Sequence, residues 1–440
     1  MSDHPDILAS LGTGWSVSGQ PITRGERVIT SVCSAHPLVL EAAVTHGAAR
    51  GRPVLIEATC NQVNHQGGYT GLAPAGFCAL VRDLAARCGL PTQHLLLGGD
   101  HLGPNPWTGL PADAAMAEAE TMVAAYVAAG FRKLHLDTSM RCVDDPDVLP
   151  VPVIATRAAR LAVVAERVAA EHGLSPPLYV IGTEVPPPGG ALETIETLEP
   201  TPPAMVEATI AAQQAAFTAA GLPELMGRVI AVVVQPGVEF GHSNVVPYDP
   251  AAAAGLQSVL AAHPGLVFEA HSTDYQPADR LAALARDGFA ILKVGPALTF
   301  ALREGLYALS ALATALRPAA PALPTVMEGL MLAHPREWER HYRGDADSQR
   351  LMRHFSYSDR IRYYWPMPAA RDAVDEVLAD LDGADIPLPL VSQFLPTLYT
   401  RVRDGLLPPD PRAWLRALVG DMLDVYAAAG GEGTHWTMRA

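Results

Sequence analysis

The chain has 440 residues, 49% of them apolar, and a formal net charge of -15. This composition suits a soluble globular protein with a sizeable core, and the negative balance argues against nucleic acid or an anionic membrane as the main partner. Its five cysteines (Cys33, Cys60, Cys78, Cys88, Cys142) form no CxxC pair, the N-terminus has no signal pattern, and no apolar run is long enough to cross a bilayer, so a cytoplasmic protein with reduced thiols is predicted.

From the N-terminus, short β-branched or Leu-rich runs alternate with longer Ala-rich amphipathic stretches. Strands are predicted over about 27–33, 53–58, 95–99, 133–136, 178–182, 229–234, 266–270 and 290–294. Helices follow each of them, near 36–49, 74–88, 112–129, 155–171, 203–219, 250–262, 277–287 and 298–316. Continuous apolar strands are those of a parallel sheet covered on both faces, and eight strand–helix units in about 290 residues match the length of a (β/α)8 barrel. A doubly wound sheet would carry a glycine-rich turn after the first strand, where this chain has Ser34-Ala35-His36-Pro37. The expected organisation is an N-terminal segment (1–26), an α/β barrel of the TIM type (27–316) and a Pro/Ala hinge (317–324). A helical C-terminal region (325–440) packed on the barrel completes it.

A barrel places its chemistry at the C-terminal ends of its strands. There the sequence puts Glu57 and Asn61, Asp100-His101, Asp137 and Ser139, Glu184, Gln235 with Glu239 and His242, His271, and Lys293. Ser34 follows the first strand. Imidazoles on separate strands, His101, His242 and His271, are expected to converge on a divalent cation, zinc by default and manganese as the second choice. Glu184 or Glu239 could add a carboxylate ligand or a partner that orients a ligand. The plain structural alternative is that each histidine satisfies its own surroundings, and His135, inside the fourth strand, is assigned that role.

Asp100, beside a ligand histidine, is placed to carry a proton while the metal polarises a carbonyl, which describes carbon–carbon bond chemistry or proton movement next to a ketone. Metal-assisted hydrolysis stays open. Lys293 opens a metal-free rival through a Schiff base, against the plainer role of pairing with a phosphate or carboxylate. In the tail, Arg360 and Arg362 are interleaved with aromatics in SDRIRYYWP, a composition suited to phosphate or sugar recognition or to packing on the barrel.

The stretches SVCSAHPLVLEAA, IEATCNQVNHQGGYTG, GGDHLGPNPW, KLHLDTSM, GTEVPPPGG, FEAHSTDYQ, LKVGPALTFALREGLYAL and SDRIRYYWP resemble the Z-type subunit family of class II D-tagatose-1,6-bisphosphate aldolase. The likeness runs from about residue 27 to the C-terminus. It implies a TIM barrel, and it brings three alternatives: a non-catalytic stabilising subunit, a tagatose-6-phosphate kinase, and an epimerase acting at C4 of tagatose or fructose. No P-loop or kinase signature supports the second. Similarity to the catalytic class II aldolases implies Asp100 as the acid–base group, Glu184 as a strand-five carboxylate, and His101, His242 and His271 as metal ligands. Glu57, Asn61, Asp137, Ser139, Gln235, Ser34 and Lys293 are then expected around the substrate.

One departure concerns phosphate. His271 is followed by Ser272-Thr273-Asp274-Tyr275 and not by a glycine-rich turn, so Arg360 and Arg362 are the expected hosts of a phosphate. The sequence therefore predicts a metal-dependent ketohexose or ketohexose-phosphate enzyme, epimerising at C4 by retro-aldol and aldol steps. Its partner is a small sugar or sugar phosphate, and its assembly a homo-oligomer or a hetero-oligomer with an aldolase subunit.

Overall fold

The computed structural model describes residues 7–11, 28–182, 198–318 and 322–430. Eight parallel strands close into a barrel: β1 (Ile29–Val32), β2 (Val54–Thr59), β3 (Leu95–Leu102), β4 (Lys133–Leu136), β5 (Leu178–Ile181), β6 (Val229–Val233), β7 (Val267–Ala270) and β8 (Phe289–Val294). Each neighbour in the ring is the next strand in sequence, and β8 returns to pair with β1 through Ile29–Ile291 to Val32–Val294. A short antiparallel hairpin, Glu239–Phe240 with Val245–Val246, stands apart from the barrel after β6.

Helices wrap the strands, and Pro37, Pro74, Pro203, Pro250 and Pro296 each open one, where the missing N–H costs nothing. The predicted helix over 250–262 is interrupted by a 3-10 turn at Ala254–Leu256. Further helices run from Leu323–Ala333 to Pro411–Ala429. The last of them packs on Pro37–Arg50, Ala278–Arg286 and Pro296–Leu316. One apolar cluster takes in Leu306 of the barrel and Trp414 of the tail. Helix Leu323–Ala333 begins within the stretch read as a hinge, of which residues 319–321 lie outside the described part.

Side chains alternate across a strand, so every second residue faces the barrel axis. The lowest inward layer is apolar: Ile29, Leu55, Leu178, Val267 and Ile291 form one cluster, and Leu8 and Leu11, from before the barrel, complete it. Two residues further up β1, β2, β7 and β8 come Ser31, Glu57, Glu269 and Lys293, and β3 and β4 add Asp100, Lys133 and His135, all buried. Apolar below and ionisable above, the interior points its chemistry toward the C-terminal mouth.

Candidate active site at the barrel mouth

The polar layer is a bonded network. Lys133, fully buried, reaches Glu57 at 2.7 and 2.9 Å and Glu269 Oε2 at 2.6 Å. Ser31 donates its hydroxyl to Glu57 at 2.6 Å. Room for the Glu57 side chain comes from Gly98, where a Cβ would stand 2.8 Å from Glu57 Cγ. Lys293 pairs with Asp100, with Glu269 Oε1 at 3.1 Å and with Glu57 Oε2 at 3.6 Å.

Above it stand three imidazoles, His101, His135 and His271, whose ring centroids are 5.0 to 5.1 Å apart pairwise. Each gives one nitrogen to a carboxylate: His135 Nδ1 to Asp100 at 2.8 Å, His271 Nε2 to Glu269 at 3.0 Å, and His101 Nδ1 to Asp137 at 2.8 Å. An ionised carboxylate only accepts, so a proton sits on His271 Nε2 and His101 Nδ1; His135 Nδ1 also accepts the His101 backbone N–H at 3.2 Å, and in each ring the second nitrogen is left outside its carboxylate bond. For His135 that atom, Nε2, is buried without a hydrogen-bond partner among the described residues. Asp137 is itself held by the Ser139 N–H at 3.1 Å and hydroxyl at 2.6 Å. The backbone is left-handed at His101, Ser272 and Tyr275, with φ of 50°, 53° and 62°, a conformation that non-glycine residues adopt at a cost and that gathers at functional sites.

Burial works to raise the Asp100 carboxyl, but the charges of His101 and Lys293 and the His135 hydrogen bond override it and hold it well below the usual range. Glu269 is likewise held down against burial by the two lysines. Burial and the Lys293 charge push His271 down to about 3, and burial lowers His135, so both rings are neutral near pH 7. His101 goes the other way: burial would lower it, yet Asp100 and Asp137 raise it. Lys293 sits well above its ordinary value because three carboxylates outweigh its desolvation.

Ligand atoms of Asp100, His135, Glu269 and His271 lie within 4.8 Å of one another, and this buried group can hold a metal ion. The fit is chemical as well as spatial. Four carboxylates (Glu57, Asp100, Asp137, Glu269) face two ammonium groups, an excess of buried negative charge even with His101 protonated. Carboxylate-oriented imidazoles are the usual supports of a bound divalent cation. Of the three rings, His135 and His271, with centroids 5.1 Å apart, belong to the four-donor group.

Two expectations for the metal set are thereby altered. His242 does not join the other rings: its Nδ1 meets Ser356 Oγ and its Nε2 the His341 carbonyl, both at 3.1 Å, and its ring packs on Tyr342. In its place stands His135, read from sequence as a core residue. His101 stands beside the four-donor group and bonds Asp137. Of the other expected residues, Glu57, Asp100, Asp137, Ser139, His271 and Lys293 share the network or touch it. Asn61 lines the inner cavity with Asp100 and Lys293, and Ser34 an outer one. Gln235 instead organises its own loop, accepting the N–H groups of Gly237 and Val238 at 2.8 and 2.9 Å. Arg360 donates to the Glu337 carbonyl and stacks on Tyr363, and it does not itself line either cavity. Glu184 lies outside the described residues.

Comparison with known proteins bears on this arrangement. A family model described as D-tagatose-1,6-bisphosphate aldolase subunit GatZ/KbaZ-like matches residues 20–431. The chain belongs to that family. A relative from Agrobacterium fabrum, named D-tagatose 6-phosphate 4-epimerase, is 54% identical over 413 residues, 92% of this chain and 96% of its own. A crystal structure from Sinorhizobium meliloti 1021, titled a probable tagatose 6 phosphate kinase, is 52% identical with a TM-score of 0.85, covering 92% of this chain and all of that one.

Lys133, His135 and Glu269 were missed as site residues. The signal that could have found them is parity: Lys133 and His135 lie on one face of β4 with Asp137, and Glu269 lies on one face of β7 with His271.

Proposed function

We propose that this family member is an epimerase that interconverts ketohexose 6-phosphates differing at C4, tagatose 6-phosphate and fructose 6-phosphate being the pair. The observation that carries the reading is the 54% identity, over nearly the whole of both chains, to a protein named for that reaction. The acid–lysine–imidazole network at the barrel mouth supports it.

The hydrogen on C4 is not α to the C2 ketone, so its removal gives no stabilised enolate. Cleavage of C3–C4 does. Asp100 takes the proton from the C4 hydroxyl, the C3–C4 bonding pair moves toward the C2 carbonyl, and an enediolate and an aldehyde result. After the aldehyde turns, the enediolate carbon adds to its opposite face and Asp100 returns the proton to the new alkoxide.

The Lys293 ammonium beside Asp100 and Glu269 offers positive charge to the enediolate. Its ion pair also weakens Asp100 as a base, so a substrate hydroxyl that separates the two raises the carboxylate's proton affinity as it arrives. A divalent cation, held by His135 and His271 with Asp100 and Glu269, would supply Lewis-acid polarisation of the ketone. Lys293 itself, protonated and paired, is no Schiff-base nucleophile.

The test is turnover by the purified chain on D-tagatose 6-phosphate, with fructose 6-phosphate followed by coupled isomerase and dehydrogenase, before and after chelation and zinc or manganese addition. Formation of fructose 6-phosphate is expected. No turnover under any metal condition, together with activation of a separate aldolase chain, would replace this reading with that of a stabilising subunit.

A further inference from the structure

Two cavities meet over the mouth. The inner one, about 80 Å3, holds Asp100, His101, His271 and Lys293 at one end. The outer one, about 350 Å3, lies between the loop after β1 and helix Pro368–Leu381. Small-molecule sites typically start near 300 Å3, so the inner cavity alone is too small and a ketohexose phosphate has to extend outward. Arg362 lies in the wall of both.

Resting on the epimerase reading, we propose that Arg362 receives the C6 phosphate at this junction, and that this anchor keeps the aldehyde fragment in the site while it turns. The guanidinium is pre-set for the task. Nη1 donates to the carbonyls of Ser358 and Asp359, and Nη2 to the Tyr363 hydroxyl at 3.1 Å. Those bonds use three of its five N–H donors and fix its plane, leaving donors for an anion. Its support is rigid: Ser358 and Asp359 are buried, and Asp359 sits at φ 46° with its carboxylate tied to the Thr299 hydroxyl.

The usual anion seat of a barrel, the helix N-terminus after the last strand, is already filled. Asp274 Oδ1 accepts the N–H groups of Gly295 and Ala297 at 3.0 and 2.8 Å, so a phosphate there would meet a carboxylate in its place. Arg360, which bonds the Glu337 carbonyl, lines neither cavity. Charge also orients the substrate: the surplus of carboxylates at the inner end repels a phosphate dianion, and Arg362 attracts it at the other.

In chemical terms, cleavage of a ketohexose 6-phosphate at C3–C4 leaves the phosphate on the C4–C6 piece, glyceraldehyde 3-phosphate. Held by its phosphate, that piece can rotate about its own bonds without leaving. Loosened, it escapes, and the epimerase leaks as an aldolase.

The experiment compares wild type with R362Q and R362K on D-tagatose 6-phosphate, reading KM, inhibition by inorganic phosphate, and free glyceraldehyde 3-phosphate through a coupled dehydrogenase. For R362Q a roughly 30-fold or greater rise in KM is expected, with weaker inhibition by phosphate and release of the triose phosphate. R362K, which keeps the charge and loses the fork, should show a smaller shift in the same directions, and it carries the test if circular dichroism shows R362Q unfolded. An active wild type whose variants keep their KM, their phosphate inhibition and a tight product ratio would overturn the anchor alone. A wild type inert toward every ketohexose 6-phosphate would overturn the epimerase reading beneath it.

Discussion

Replacing Lys133 with Met removes the ammonium at the floor of the network and keeps the side-chain volume. Lys133 is fully buried between Glu57 and Glu269. Breaking a buried ion pair from one side costs about 3–5 kcal/mol, because the remaining carboxylate has no water to turn to. Against the unfolding entropy of 440 residues, about 0.9 kcal/mol per kelvin, that is a fall of roughly 3–5 °C in Tm at pH 7.

The pH dependence has a definite sign. In the wild type Glu269 titrates below its ordinary value, so its contribution is present above the normal glutamate range and fades as pH falls through the folded value. In K133M Glu269 loses the larger of the two lysine charges that hold it down, so it titrates higher in the folded state and takes up its proton earlier on acidification. The gap between the two proteins should therefore narrow from pH 7 to pH 5. Differential scanning calorimetry at the two pH values is the assay. A Tm within 1 °C of wild type at pH 7, or a gap that widens on acidification, would refute the charge-pairing argument.

Asp100→Asn should lower kcat on D-tagatose 6-phosphate by about 100-fold or more, and full activity would remove Asp100 from the proton transfer. Elemental analysis after zinc loading and dialysis should show H135A losing its metal and H242A keeping it. The reverse result would restore the ligand set read from sequence. Gly103→Ala would put a Cβ 1.7 Å from the Asp137 carbonyl oxygen, so the end of β4 must move. A loss of about 1–3 kcal/mol in urea denaturation is expected, along with a lower His101 pKa by NMR as its bond to Asp137 is lost.

The barrel was legible because its parallel strands are buried on both faces and read as unbroken apolar runs, VLIEA and VIAVV among them. Asp100 was legible for the opposite reason, an acid where such a run ends. His135 and Lys133 were not, since KLHL looks like any half-buried strand until the barrel closes and shows which face is inward. Glu57 meets Lys133 across 76 positions of sequence and Lys293 meets Asp100 across 193, pairings that only the closed ring brings about. His242 misled because it follows β6 as His101 ends β3, yet the tail segment near Ser356 draws it outward, an influence no local pattern carries. The N-terminal segment, polar in composition, concealed two leucines that belong to the barrel core.

Those two leucines make the barrel a blind well. Leu8 and Leu11 pack with the lowest inward layer, so the barrel axis below Lys133 and Glu57 is filled with apolar side chains. A bound sugar phosphate would then act as a stopper, isolating the carboxylates from bulk buffer for the length of a turnover. Without Leu8 and Leu11, the undersides of Ile29, Leu55 and Ile291 would meet water, a loss of apolar burial at the base.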